Sequence, residues 1–156
     1  MLEIRRTTAA DSDFQELVVL LDAHLKQRDG DEHTFFSQFN KTDDNMKVVL
    51  AYQGTEAVGC GALRKYAEAV AEVKRMYVRP AHRGKGIAAT VLAELELWAG
   101  ELSFVSCVLE TGDKFPEAVA LYLKNGYHEI PNYGPYQGVV GSICFEKHLG
   151  GAQAAR

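Results

Sequence analysis

The chain has 156 residues, 47% of them apolar and 24% charged, with a formal net charge of −4 at pH 7. These values describe one ordinary globular domain with enough apolar material for a sizeable core. They argue against a nucleic-acid partner held by a basic surface, and no apolar run approaches the roughly 18 residues of a membrane span.

Met1-Leu2-Glu3-Ile4-Arg5 lacks the charged-then-apolar pattern of a signal peptide. Cys60, Cys107 and Cys144 sit in apolar, strand-like stretches. An odd count with no spacing pattern reads as reduced thiols, buried rather than nucleophilic, in a cytoplasmic protein.

Leu2 to Thr7 alternates as a half-buried strand does. Thr8 and Asp11 offer a helix start, and Phe14, Leu17, Val18, Leu21 and Leu25 form the apolar face that follows. Arg28 to His33 is an acidic turn, and Phe35, Phe36 and Phe39 mark a second short helix ending near Asn40. Met46–Tyr52 and Ala57–Lys65 read as antiparallel strands around the turn Gln53–Glu56, with Gly59 and Gly61 marking a bulge or a close backbone approach.

A further strand runs from about Ala71 to Val78. A helix extends from Gly84 to about Ala99, with Ile87, Val91, Leu95 and Trp98 on one face and Gly100 as its stop. Phe104–Glu110 is apolar enough for a strand covered on both faces. Thr111–Lys114 is a loop, and Pro116 opens another helix that Gly126 closes. Tyr127–Ile130 is a short strand, residues 131–138 a turn-rich loop, and Val139–His148 the last strand. There is no repeat or linker, so a single domain over residues 1–149 is expected, with a frayed tail over 150–156.

The most informative stretch is Val78-Arg79-Pro80-Ala81-His82-Arg83-Gly84-Lys85-Gly86-Ile87-Ala88, a basic, glycine-rich passage from a strand into a helix. Glycines let the backbone approach a ligand closely, and the unpaired N–H groups and dipole of the helix N-terminus attract an anion. The same residues also serve a plain bend. It is not a P-loop, because Lys85 is followed by Gly86 rather than Ser or Thr, nor a dinucleotide fingerprint, whose third glycine is missing.

Arg83-Gly84-Lys85-Gly86-Ile87-Ala88 resembles the (Gln/Arg)-x-x-Gly-x-(Gly/Ala) signature of the GNAT superfamily of N-acetyltransferases. Glu72 to Pro80 looks like that family's central strand, and the order strand, two helices, three strands, helix, strand, helix, two strands is that of its fold. Patterning alone gives α/β with a mixed sheet. The resemblance implies the GNAT fold: a mixed, mostly antiparallel central sheet splayed after the fourth strand and flanked by about four helices. It also implies acetyl-coenzyme A (acetyl-CoA) as co-substrate, its pyrophosphate held by Arg83, Gly84, Lys85, Gly86, Ile87 and Ala88. The backbone of Met76 and Val78 would meet the pantetheine.

Acetyl transfer from a thioester to an amine requires loss of a proton by an alkylammonium of pKa about 10. It also requires a donor for the departing thiolate and hydrogen bonds to the oxyanion. Glu72 resembles the glutamate that the histone-acetyltransferase branch uses as base; it also suits a surface pair with Lys74 or Arg75. Ala118-Val119-Ala120-Leu121-Tyr122 with Gly126-Tyr127 resembles the family's A-x-x-L-Y-x-x-x-G-(F/Y) stretch. There the tyrosine is proposed as general acid, although Tyr122 also fits a core position. One departure is Phe115, where many members carry Asn against the cofactor arm.

The resemblance places the acceptor site at Arg28–His33 and Ile130–Gly138, making Asp29, His33, Tyr133 and Tyr136 its candidate residues. Acidic residues there favour a cationic substrate, or form a solvated turn; His33 fits a base, a ligand or a surface histidine. No His, Cys and carboxylate group has metal-site spacing, so no metal is expected. The leading expectation is a small-molecule amine acetylated by direct attack in a ternary complex. A protein N-terminus or lysine as acceptor, and a non-catalytic coenzyme A sensor, are the alternatives. A homodimer is plausible for the family.

Overall fold

The computed structural model describes residues 1–150, so the expected tail beyond Gly150 lies outside the described residues. Seven strands, β1 (Leu2–Thr8), β2 (Lys47–Gln53), β3 (Glu56–Ala67), β4 (Val70–Val78), β5 (Ser106–Gly112), β6 (His128–Ile130) and β7 (Ser142–His148), form one sheet. Their order is β1-β2-β3-β4-β5-β7-β6, antiparallel throughout except for the parallel pair β4–β5. Four helices flank it: α1 (Ser12–Asp29), α2 (His33–Ser37), α3 (Ile87–Glu101) and α4 (Pro116–Lys124).

Each face carries its own apolar layer. Alternation along β2 sends Val48, Leu50 and Tyr52 towards α1, where Phe14, Leu17 and Leu21 bury against them, and Val49 and Ala51 towards α3. Because both faces are covered, β2 is buried from Val48 to Tyr52 and β3 from Ala57 to Leu63 without a break. Val91, Leu92 and Leu95 of α3 are buried against β3 and β4, each worth about 1.5–3 kcal/mol relative to exposure. The helix lies so close that a Cβ at Gly61 would stand 2.5 Å from Met76 Sδ and 2.8 Å from Leu95 Cδ1. The strand glycine is therefore a close-approach residue, and a side chain there would force Met76, Leu95 and Val91 to shift.

The parallel pairing of β4 and β5 stops early. Only Val70–Glu72 of β4 face partners, Ser106–Val108. From Val73 onward the two strands part, while β5 continues paired to β7 as far as Gly112. A second irregularity lies just beyond. Three residue steps on β4, Lys74 to Tyr77, stand opposite two on β3, Cys60 to Ala62, which is a β-bulge on β4. Arg75 sits in it with φ +60°, uncommon for a residue with a side chain. The bulge reverses the alternation: Met76 packs with the α3 layer and Tyr77 with the α1 layer.

Some boundaries differ from the sequence expectation. Gly100 lies inside α3 and does not end it. The helix stops at Ser103, which takes φ +73°, with Phe104 N–H bonded to Ala99 O and Ser103 N–H to Gly100 O, a Schellman closure made without glycine. Arg28 and Asp29 end α1 rather than lying in a turn, and Thr111–Gly112 extend β5. The last strand starts at Ser142, because Val139–Gly141 turn on a positive-φ Gly141. The main helix begins at Ile87, with the preceding glycines outside it.

Candidate active site

Where β4 and β5 separate, a cleft of about 520 Å³ opens between them. It is lined on one side by α1, α2 and the loop carrying Tyr136, and on the other by the β4–α3 turn and α4. Its chemistry changes from one end to the other.

At the α3 end the main chain is offered. Gly84 and Gly86 have φ +79° and +80°, and an added Cβ at either would meet nothing within 4 Å. The first intrahelical bond is Thr90 N–H to Gly86 O, so the N–H groups of Ile87, Ala88 and Ala89 have no helical acceptor. Arg83 is anchored by its Nε, which donates to Val78 O at 2.8 Å, and its guanidinium lies over the Tyr77 ring. Arg83, Gly84, Gly86 and Ala88 line the cleft. Lys85 has an exposed side chain outside the lining, and the Ile87 side chain is core, packed beneath Gly59. Open space, free N–H groups and fixed positive charge suit a phosphate chain.

In the middle stand Met76, Val78 and Tyr122. Tyr122 is buried and packs edge-on against Tyr127. Among the described residues its hydroxyl has no hydrogen-bond partner. Burial, reinforced by the charge of Glu110, raises its pKa and keeps the phenol protonated.

At the α1 end side chains converge. Glu72, Lys74 and Glu110 line the cleft together with Asp29, Phe36, Phe39 and Tyr136. Tyr133 donates to Glu72 Oε2 at 2.6 Å, and Arg64 Nε lies 3.5 Å from Oε1. Glu72 is thus paired, with Arg64 rather than with Lys74 or Arg75. Glu110 accepts from Ser142 Oγ at 2.7 Å, and burial raises its pKa above the ordinary carboxylate value. Lys74 Nζ donates to Phe39 O at 2.9 Å and to Tyr136 Oη at 3.3 Å. Burial lowers its pKa against the opposing pull of Glu72. Arg75 pairs with Asp22 on α1 at 2.6 Å, securing the bulge.

Of the expected acceptor residues, Asp29 and Tyr136 reach the cleft. Tyr133 stands behind Glu72, and His33 lies off the lining with its Nδ1 buried and unpartnered among the described residues. Phe115 does line the cleft, but as a platform: His24 packs edge-on against it, Arg28 lies over its ring at 5.0 Å, and Arg28 also pairs with Glu117. With Lys114 bonded to Glu32 and to Asp29 O, these contacts tie the end of α1 to the first turn of α4. The cysteines are buried away from reaction, with burial raising the Cys144 thiol to about 11 and that of Cys60 to about 12. Sequence reasoning missed Glu110 and Lys74. The available signal was a carboxylate closing an otherwise apolar strand at its carboxyl end, where open α/β sheets bind ligands.

Among the described residues no helix is long and apolar enough to cross a membrane, and no three His, Cys or carboxylate groups are placed to hold a metal. The model of the acetyltransferase (GNAT) family matches residues 13–127. The IAA acetyltransferase of Azospirillum brasilense is 34% identical over 150 residues, covering 92% of this chain and 97% of that protein. A solved structure from Klebsiella pneumoniae subsp. pneumoniae superposes with TM-score 0.81 at 33% identity, over 96% of this chain and 98% of the other. The PaiA N-acetyltransferase of Thermoplasma acidophilum, solved with coenzyme A, shares the fold at TM-score 0.71 and 20% identity, over 95% and 99% of the two chains. By family match and near-full-length similarity, the chain belongs to the GNAT acetyltransferase family.

Proposed function

We propose that the protein transfers the acetyl group of acetyl-CoA to a primary amine of a small molecule by direct attack. The observation that carries this reading is the cleft joining the glycine turn at one end to a half-buried carboxylate and an unpartnered phenol further in. Coenzyme A bound to the Thermoplasma relative supports the choice of co-substrate. Gly84, Gly86 and the free N–H groups of α3 take the phosphates, and Arg83 supplies charge. The backbone of Met76 and Val78 aligns the pantetheine, and an N–H there donates to the oxyanion.

Glu110 is the stronger base candidate, because its raised pKa suits a proton acceptor near neutral pH and only a hydroxyl occupies it. It takes a proton from the incoming ammonium. The freed amine attacks the thioester carbonyl, the C–S bond breaks with its electron pair passing to sulfur, and Tyr122 donates its proton to the thiolate. The surplus proton on the new amide nitrogen returns to the Tyr122 phenolate, and Glu110 releases its own proton to solvent. Glu72, held by Tyr133 and Arg64, positions the wall beside it. The contacts tying α1 to α4 bridge one side of the cleft, consistent with a small acceptor.

The test is the melting temperature with acetyl-CoA, followed by amine-dependent thiol release. Ligand at about 100 times Kd adds roughly 2.7 kcal/mol, a rise on the order of 5–10 °C for a domain of this size. No rise at saturation removes the cofactor assignment. A rise with no release for any amine leaves a binding module instead of an enzyme.

A further inference from the structure

The acceptor end of the cleft holds two opposite charges that attract each other through space but are not in contact. Lys74 Nζ donates to a backbone carbonyl and a phenol, both neutral. An ammonium has three N–H donors, so one remains for a ligand. Glu110 is held only by the Ser142 hydroxyl. Among the described residues neither group forms an ion pair, and the nearest cation to Glu72 is Arg64. A half-buried charge with no counter-ion in contact costs stability, and a ligand that supplies one recovers part of that cost.

A simple monoamine would suit Glu110 but would bring a cation towards Lys74. A molecule carrying both an ammonium and a carboxylate would answer both. Beside the two charges stand Phe36, Phe39 and Tyr136, an aromatic wall for an apolar substituent. We propose that the acceptor is an α-amino acid with an apolar side chain, its carboxylate held by Lys74 and its ammonium delivered to Glu110. This rests on the acetyl-transfer reading above and narrows it to a substrate class. It also accounts for the lysine: burial lowers its proton affinity, and an arriving carboxylate reverses that.

The experiment compares thiol release from acetyl-CoA with phenylalanine, phenylalaninamide and phenethylamine, and with the matching leucine and methionine sets. Each set keeps the side chain and varies the carboxylate, and because amidation also makes the α-ammonium more acidic, kcat/KM is compared per concentration of free amine. The free amino acid is expected to be preferred in kcat/KM by roughly 10- to 100-fold, the range of a charge-assisted contact, and mainly through KM. In Lys74→Met that ratio falls towards one, and in Lys74→Arg it is retained. An amide or amine used as well as the free acid, or a preference undiminished in Lys74→Met, overturns the proposal; should Lys74→Met fold poorly, the wild-type ratios decide. If none of these compounds releases thiol while acetyl-CoA still raises the melting temperature, the amino-acid proposal falls and acetyl transfer to another acceptor stands. If acetyl-CoA gives no rise, the underlying reading itself is lost.

Discussion

Around Gly84 and Gly86 the cleft offers main-chain N–H groups and open space, whereas around Lys74 and Glu110 it offers two half-buried side-chain charges held by neutral partners. The first arrangement suits any chain of phosphates, because every peptide has the same N–H. The second discriminates, because its charges stand at fixed points on β4 and β5. On the proposed reading, one end is general for a shared co-substrate and the other particular to its acceptor. The two ends also differ in energetic standing. Glycine holds φ near +80° without strain, while burying Glu110 and Lys74 costs stability until a ligand arrives.

The largest effect that tests this contrast is at Glu110. Glu110→Gln keeps shape and hydrogen bonding but removes the base, and kcat is expected to fall about 10²- to 10⁴-fold. In the wild type the acid limb of kcat/KM should lie above the ordinary carboxylate range, because the ionised form is the active one and burial raises the pKa. The stability consequence has a definite sign. A carboxyl whose folded pKa is raised contributes stability that is complete below its unfolded pKa and lost as pH rises through the folded one. Glu110→Gln, a mimic of the protonated form, should therefore melt higher than wild type at neutral pH while being nearly inactive. An active variant, or one that melts lower at pH 7 than at pH 4 relative to wild type, removes Glu110 from the base role.

At the other end, Gly86→Glu places a carboxylate where phosphate is expected and a side chain at φ +80°. The acetyl-CoA-induced rise in melting temperature should vanish, alongside a folding cost of about 1–3 kcal/mol from the left-handed backbone. Because a Cβ there meets no atom within 4 Å, packing adds nothing to that cost. Retained binding would mean the turn only connects strand to helix.

The same contrast explains what could be read from the sequence. Phosphate recognition by main chain is written in residue types, since only glycine takes those dihedral angles freely, and so the turn stood out. The strands and the two long helices were legible from periodicity, their faces being set by covered layers on both sides of the sheet. The acceptor end was legible only in part: Asp29 and Tyr136 were expected there through the resemblance, but Lys74 and Glu110 lie on different strands and join them only where the sheet splays. The bulge deepened the difficulty. Strict alternation would place Met76 on the face of Lys74, yet Arg75 at φ +60° turns it over, with no glycine to announce the change. Ser103 misled in the same way, closing α3 in a conformation expected of Gly100.

That last difference supplies the smallest test. Gly100 lies in the final turn of α3, its carbonyl accepts from Ser103 N–H, and a Cβ there meets nothing within 4 Å. Its φ is not in the left-handed region, unlike that of Gly86. Alanine at such a helix position is preferred over glycine by roughly 0.5–1 kcal/mol, because the unfolded chain has less freedom to lose. Gly100→Ala should therefore raise the melting temperature by about 1–4 °C and leave the acetyl-CoA response as it was. Glycine replaced at 86 weakens the protein and at 100 strengthens it, with the sign set by backbone angle alone. A fall in melting temperature for Gly100→Ala would mean that the helix ends at Gly100 in solution and that Ser103 does not take over its role.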